Sequence, residues 1–290
     1  MQYHGPVLDH RPSLAFALAA VTAGTLAGCA PALSTFQTAA VPPTGHYAAA
    51  VGLEGSIATG SLHDAYTSGK DVLDKANAGQ ALTTDEKWQA FDAGMQLLLS
   101  PPSVGYHLSL AYVPWKRLEV SLRYAGSALR VGTRYQLLDR ATGPFDMTIG
   151  LGVSRFTYAV PIGDYVPILK VDDFTRWQLD VPLLIGMQNR WFRTWIGPRF
   201  VATWFDSRLN LDLQVEQKVL ASMSGSAYYL GGQGGIGFGY RWIFVAFELT
   251  ITEMIGSASF STTDITDSPS HTTDLSGLVI YPTLGLMGEF

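Results

Sequence analysis

Residues 145–153 read FDMTIGLGV, and the period of this stretch is two. Phe145, Met147, Ile149, Leu151 and Val153 share one parity, while Asp146, Thr148, Gly150 and Gly152 share the other. Successive side chains of a strand point to opposite faces, so this is one apolar face backed by a small, polar one. The same alternation runs outward in both directions. Before it come 104–112 (VGYHLSLAY), 118–124 (LEVSLRY) and 129–137 (LRVGTRYQL). After it come 177–187, a weaker 191–205, then 228–240, 243–252 and 278–290, with an Ala- and Gly-rich first candidate at 46–58. About ten strands result, many longer than the usual ~5–6 residues.

Composition narrows the class. Charged residues are 15% of the 290, against about 25% in ordinary globular chains, and there are 30 glycines. The formal net charge of −5 and the lack of a basic run argue against a nucleic-acid binder. Past the first thirty residues no apolar run approaches the ~20 residues of a membrane helix.

The connections alternate in length. Short ones lie at 113–117, 138–144, 188–190 and near Arg241; long ones lie at about 60–103, 158–175, 206–225 and 256–277, with a tight link near Gly126 as the exception. Short turns at one end and long loops at the other are the pattern of barrels whose apolar face meets lipid. The end of the chain, LVIYPTLGLMGEF (278–290), is an alternating strand closed by Phe290. It resembles the C-terminal signal of bacterial outer-membrane β-barrels. That resemblance implies recognition by the barrel-assembly machinery, insertion among outer-membrane lipids, and an all-β, antiparallel up-and-down transmembrane β-barrel over 45–290. A soluble barrel or sandwich would need the same apolar faces turned inward.

At the other end, LAFALAAVTAGTLA (14–27) is the length of a signal-peptide core and precedes Leu26-Ala27-Gly28-Cys29. The tetrapeptide resembles the bacterial lipobox and implies cleavage before Cys29 and its lipidation. The division expected is a signal peptide at 1–28, a lipidated tether at 29–44 and the barrel at 45–290. Cys29 is the only cysteine, so no disulfide framework exists.

Residues 62–99 depart from the strand pattern. Trp88, Phe91, Met95 and Leu98 fall three to four apart after Thr83-Thr84, which predicts two short helices in the first long loop with a threonine cap. Such a stripe packs on the barrel rim or serves as a lid, plug or partner-binding element.

With the apolar faces outward, the lumen receives His107, Glu119, Arg123, Arg130, Arg134, Asp146, Asp180, Arg193, Arg199, Glu248 and Glu289. Mixed signs in a narrow ten-strand lumen predict ion-paired layers that fill it, with a charged pore as the alternative. Chemistry finds little support. The Asp-x-His element of omptin-type proteases does not occur, and Asp172-Asp173 sits in a long connection. His107-Leu108-Ser109 with Glu119 is faintly similar to the site of lipid A deacylases. A turn at 113–117, however, pairs His107 with Arg123 and Ser109 with Ser121, leaving Glu119 poorly placed to orient the His. The six His are scattered, and the run Gly231-Gly232-Gln233-Gly234-Gly235 has no phosphate-loop Lys. No catalytic, metal or cofactor site is expected. The expected function is a structural or interaction component of the cell envelope, with a partner met through the long loops. A small-solute channel comes next and a hydrolase third.

Overall fold

The computed structural model describes residues 33–60, 68–69, 71–72, 74–76, 78, 80–99, 103–125, 128–156, 169–211, 219–265 and 269–290. The stretch expected to be a signal peptide, Cys29, His63-Asp64 and Gly126 lie outside them.

Ten antiparallel strands form a closed up-and-down barrel. They are β1 (Tyr47–Ala58), β2 (Ser103–Trp115), β3 (Leu118–Ala125), β4 (Ala128–Leu138), β5 (Asp146–Phe156), β6 (Leu169–Gln188), β7 (Phe192–Leu211), β8 (Val219–Tyr240), β9 (Ile243–Ser261) and β10 (Ser270–Glu289). β1 closes on β10 through nine register partners, from Ala48↔Glu289 to Ala58↔Val279. Beyond the strand ends, the Tyr47 N–H donates to the Phe290 carbonyl and the Phe290 N–H to the Tyr47 carbonyl, at 2.9 and 2.8 Å. Closure leaves no open edge, so each strand has hydrogen-bonded neighbours on both sides.

The apolar faces point outward. Ile243, Val245, Phe247 and Ile251 of β9 are exposed, while Phe244, Ala246, Glu248 and Thr250 between them are buried. From Ile243 to Ile251 this outer stripe rises roughly 21 Å, at ~3.4 Å per residue and a ~40° tilt, close to the ~25 Å apolar band of transmembrane barrels, and the exposed Glu253 follows on the same face. Aromatic rings bound it. Trp115, Trp191, Tyr240 and Trp242 are exposed at the turn end; Trp177 and Trp204, register partners, are exposed higher up beside Tyr228. These are the interfacial girdles of a transmembrane barrel.

The wall is uneven. β1 to β5 have 8–13 residues and β6 to β10 have 19–22. The long strands therefore continue past the upper girdle, through much of what the sequence presents as loops at 206–225 and 256–277. There the faces exchange character. On β9 the outward residues become Ser257, Ser259 and Ser261, and the inward ones Met254, Ala258 and Phe260. β8 does the same with Ser222, Ser224 and Ser226 outside and Val219, Ala221, Met223 and Ala227 inside.

Helix α1 (Thr84–Leu99) fills this upper interior. Trp88, Phe91, Met95, Leu98 and Leu99 are buried in one cluster with Phe205, Leu209, Met223, Met254 and Phe260. Each such side chain contributes ~1.5–3 kcal/mol on burial. Thr83 caps the helix reciprocally: its Oγ1 accepts from the Glu86 N–H at 3.3 Å, and its own N–H donates to Glu86 Oε2 at 3.0 Å. Further helical residues occur at 68–69, 71–72 and 74–76. The helix thus sits inside the mouth of the barrel.

One expected pairing is corrected. In the β2–β3 hairpin Ser109 lies opposite Arg123 and His107 opposite Ala125. β2 runs on to Trp115, the turn shrinks to Lys116-Arg117 with Arg117 at φ 68, and a register shift lies between Tyr112 and Trp115. A shorter turn with a bulge moves every partner by two.

Candidate functional site

The region richest in buried polar groups is the lumen below the upper girdle. Every proposed lumen residue lies inside: His107, Glu119, Arg123, Arg130, Arg134, Asp146, Asp180, Arg193, Arg199 and Glu248 are all buried, and Glu289 is partly so. They form separate clusters on facing strands.

Arg130 of β4 grips Asp180 of β6 with two parallel hydrogen bonds, Nε to Oδ1 at 2.7 Å and Nη2 to Oδ2 at 2.9 Å. Arg199 of β7 approaches the same carboxylate at 3.6 Å and donates to Gln233 Oε1 at 2.6 Å. A Cβ at Gly152 would stand 2.3 Å from the Arg130 guanidinium and 2.4 Å from Asp180 Oδ1, so the glycine makes the room. A second fork joins Arg134 to Glu119, at 2.8 and 2.6 Å. Arg123 pairs with Glu54 of β1, and His107 Nδ1 lies 3.4 Å from that carboxylate. Glu54, not Glu119, is therefore the acid beside His107. Asp146 accepts from Gln136 Nε2 at 3.1 Å and from the Arg140 N–H at 3.0 Å, closing the turn after β4. Arg193 pairs with Glu289 near the seam. Bidentate, doubly satisfied pairs are the form in which charges survive burial.

The tether expected over 29–44 takes another place from Leu33 onward. Leu33, Ser34, Thr35, Phe36, Thr38, Ala39 and Ala40 are all buried, and the segment runs through the lumen. Glu248 of β9 holds it. Its Oε1 accepts from Ser34 Oγ at 2.6 Å and from the N–H groups of Thr35 and Phe36, both at 3.1 Å. Its Oε2 accepts from Trp195 Nε1 at 2.8 Å. Two successive N–H groups thus converge on one carboxylate oxygen, and Phe36 itself has φ 49, left-handed for a bulky residue. The Phe36 ring lies edge-on to His107, 5.0 Å between centroids. Further anchors follow along the segment. Gln233 Nε2 donates to Thr35 Oγ1 at 3.3 Å, Arg123 donates to the Ser34 carbonyl, and Arg134 to the Thr38 carbonyl. The Val41 N–H donates to Gln136 Oε1 at 3.1 Å.

Several members of this site escaped sequence reasoning: Glu54, Trp195, Gln233 and residues 34–38. The glycine-rich stretch carried a partial signal. A Cβ at Gly235 would meet the Trp195 indole at 2.2 Å, so that glycine exists to admit the ring that holds Glu248. Among the described residues no group of three or more His, Cys, Asp or Glu could hold a metal ion. Ser109 and His107 share the inner face, but His107 is engaged by Glu54 and Phe36 rather than poised beside a serine.

No family model matches the chain, and none of the curated proteins does. Among solved structures it is similar to a major outer membrane protein from Thermus thermophilus, at 7% identity and TM-score 0.39, over 84% of this chain and 99% of that one. The outer membrane protein OprG from Pseudomonas aeruginosa follows at 11% and 0.36, over 85% and 96%. Ail, the attachment invasion locus protein of Yersinia pestis, follows at 12% and 0.25, over 86% and 100%. The strand order and face polarity of this chain itself define its fold.

Proposed function

We propose that the protein is a bacterial outer-membrane lipoprotein, exported by its N-terminal signal and acylated at Cys29, that serves the envelope as a sealed, non-enzymatic scaffold. Insertion by the barrel-assembly machinery through the Phe290 strand belongs to the same reading. The contact surface for an envelope partner is the cap formed by the long strands, α1 and the connections around them. The observation that carries this is the Glu248 carboxylate. With Ser34, Thr35, Phe36 and Trp195 all donating to it, the barrel's own chain stands across the lumen where a solute would pass.

A channel would require both residues 33–43 and α1 to leave. Planar-bilayer recording therefore separates the two functions. The wild-type barrel, shown to be inserted by its heat-dependent gel mobility, is expected to be electrically silent. A chain lacking residues 33–40 alone stays silent while α1 fills the mouth, and one lacking both 33–40 and 84–99 conducts. Steady ohmic conductance by the wild type would replace the scaffold with the channel.

A further inference from the structure

The closing seam is hollowed on its outer, lipid-facing side. On that face Ala49 of β1 and Gly288 of β10 are register partners. The next outward pair up the seam is Val51 and Leu286, and Gly288 also stands opposite Ile243 of β9. Two small residues thus sit beside branched ones, and the wall is indented by a groove of about 220 Å³. Phe290 bounds it toward the turn end. A Cβ at Gly288 would come within 2.8 Å of the Phe290 ring, so the glycine lets that ring lie over the wall. Val51, Leu286, Ile243 and Phe290 are exposed, and every side chain around the groove is apolar.

Just below the groove the rim is basic. Each of the four short turns carries a cation: Lys116 and Arg117, Arg140, Arg190, and Arg241. The acids at this end are engaged: Asp139 by the Ala141 N–H, Asp146 by the Arg140 N–H, and Glu289 by Arg193. Arg190 and Arg241 are exposed on adjoining turns, joined where the Arg241 N–H donates to the Arg190 carbonyl at 2.9 Å. Among the described residues neither meets a carboxylate within ion-pair distance. The Arg241 guanidinium lies 5.0 Å over the Tyr240 ring, which packs on Trp191 at 4.5 Å, so the cation stands at the interfacial girdle. Two residues separate Arg241 from Ile243 on the groove wall, ~7 Å along a strand and about the length of a glycerol backbone.

The geometry points to a bound anionic phospholipid at this seam, one acyl chain seated in the groove over Ala49 and Gly288 and the phosphate held by Arg241 with Arg190. With short turns on the periplasmic side, as in barrels of this type, the lipid belongs to the inner leaflet. The apolar hollow lies inside the interface and the cations at it, which is the order of chain and headgroup in such a lipid. Basic side chains at the membrane surface favour a headgroup of net negative charge over a zwitterionic one. A second copy of the chain fits the face less well. Two-fold pairing of this surface would bring Arg190 and Arg241 of both copies to the same depth and set like charges together. The site is on the outer wall and needs only the inserted barrel. It stands apart from the sealed lumen and from acylation, so either reading can fail alone.

The test is native mass spectrometry of the full-length barrel in detergent, using chains whose heat-dependent gel mobility shows that they are folded. Each is titrated with dioleoyl phosphatidylglycerol or with dioleoyl phosphatidylcholine. The wild type is expected to retain a phosphatidylglycerol and to prefer it several-fold over phosphatidylcholine. Arg190→Gln combined with Arg241→Gln should bring the two lipids to about equal occupancy. Ala49→Leu fills the groove from its floor, on the side that already faces lipid, and should lose retention of both. Arg140→Gln, on the β4–β5 turn across the barrel, should keep the wild-type preference. A preference that survives loss of both arginines overturns the site, and so does an Ala49→Leu chain that retains phosphatidylglycerol as the wild type does. A lipid-free dimer of the wild type that Ala49→Leu separates would replace the lipid with a second copy.

Discussion

The two halves of this barrel are built from the same strands and obey opposite rules. Below the Trp177–Trp204 level, β8 and β9 turn Ile236, Phe238, Val245 and Phe247 outward and enclose Glu248 and Gln233. Above it the same strands turn Ser224, Ser226, Ser257 and Ser259 outward and enclose Met223, Ala227, Ala258 and Phe260. The backbone does not change; the surrounding solvent does. Where lipid surrounds the wall, apolar side chains belong outside and the interior must be satisfied by ion pairs and hydrogen bonds. Where water surrounds it, the hydrophobic effect fills the interior, and α1 supplies the other side of that core. The lower half is held by specificity of charge, the upper by area.

The difference predicts unlike responses to truncation. In the lower half, Glu248→Ala removes the one acceptor shared by four donors and is expected to cost roughly 3–5 kcal/mol, as when one partner of a buried charged network is lost. The temperature at which the folded gel band disappears should fall sharply, and Glu248→Gln, which keeps a carbonyl acceptor, should fall less. Equal stability of Glu248→Ala and wild type would mean the segment is not held as the geometry indicates. In the upper half, Phe91→Ala leaves a cavity costing about 3–5 kcal/mol, but that loss is local. The expected outcome is rapid proteolysis of α1 with an intact, heat-modifiable barrel. A barrel that fails to insert would show that the two halves fold as one unit.

A smaller effect tests where the boundary lies. Leu249→Lys places a cation on the lipid face and should cost roughly 2–4 kcal/mol of insertion free energy. Ser259→Lys, ten residues on along the same face, should cost under about 0.5 kcal/mol, as a solvated substitution does. Reconstitution yield across a series at 249, 251, 255, 257 and 259 should rise through the switch. A uniform cost along β9 would erase the distinction between the halves.

The same boundary explains what the sequence disclosed. The alternation is clear wherever lipid lies outside, and strands end in the sequence reading near Phe205, Tyr228, Thr252 and Leu278. Those are the places where the apolar parity changes side. A period-two pattern that reverses phase looks like the end of a strand, so the upper turns of β7 to β10 pass for loops. The lumen charges were legible because each sits opposite an outward apolar residue. Glu54 was hidden by its small neighbours in an Ala- and Gly-rich strand. The segment at 33–43 was hidden for a different reason. STFQT carries no periodicity, and its place is set by Glu248, more than two hundred residues away, through backbone N–H groups that every sequence possesses.

The smallest expected effect is titration of the cap, and two carboxylates on α1 push it in opposite directions. Glu86 is drawn down from 4.5 to about 2, first by its hydrogen bond with Lys75 and then by the Thr83 N–H. A depressed acid stabilises the folded cap fully above its unfolded value, and that contribution drains away as pH falls from about 4.5 toward 2. Asp92 is raised, because burial opposes its charge more than the 3.1 Å contact with His271 relieves it. A raised acid favours the fold when protonated, so its contribution grows as pH falls through the raised value. Following α1 by protease resistance between pH 6 and 2 should show the two partly cancelling in the wild type. Glu86→Gln should then remove the acid loss and leave a cap that is steadier, or even firmer, at pH 3 than at pH 6. Asp92→Asn should expose the Glu86 loss alone. Thr83→Ala, which breaks the capping box, should lower resistance by the equivalent of about 1 kcal/mol at all pH values. If Glu86→Gln leaves the acid limb as steep as before, the lost stability belongs to the lumen carboxylates. The upper half would then not be an independently titrating unit.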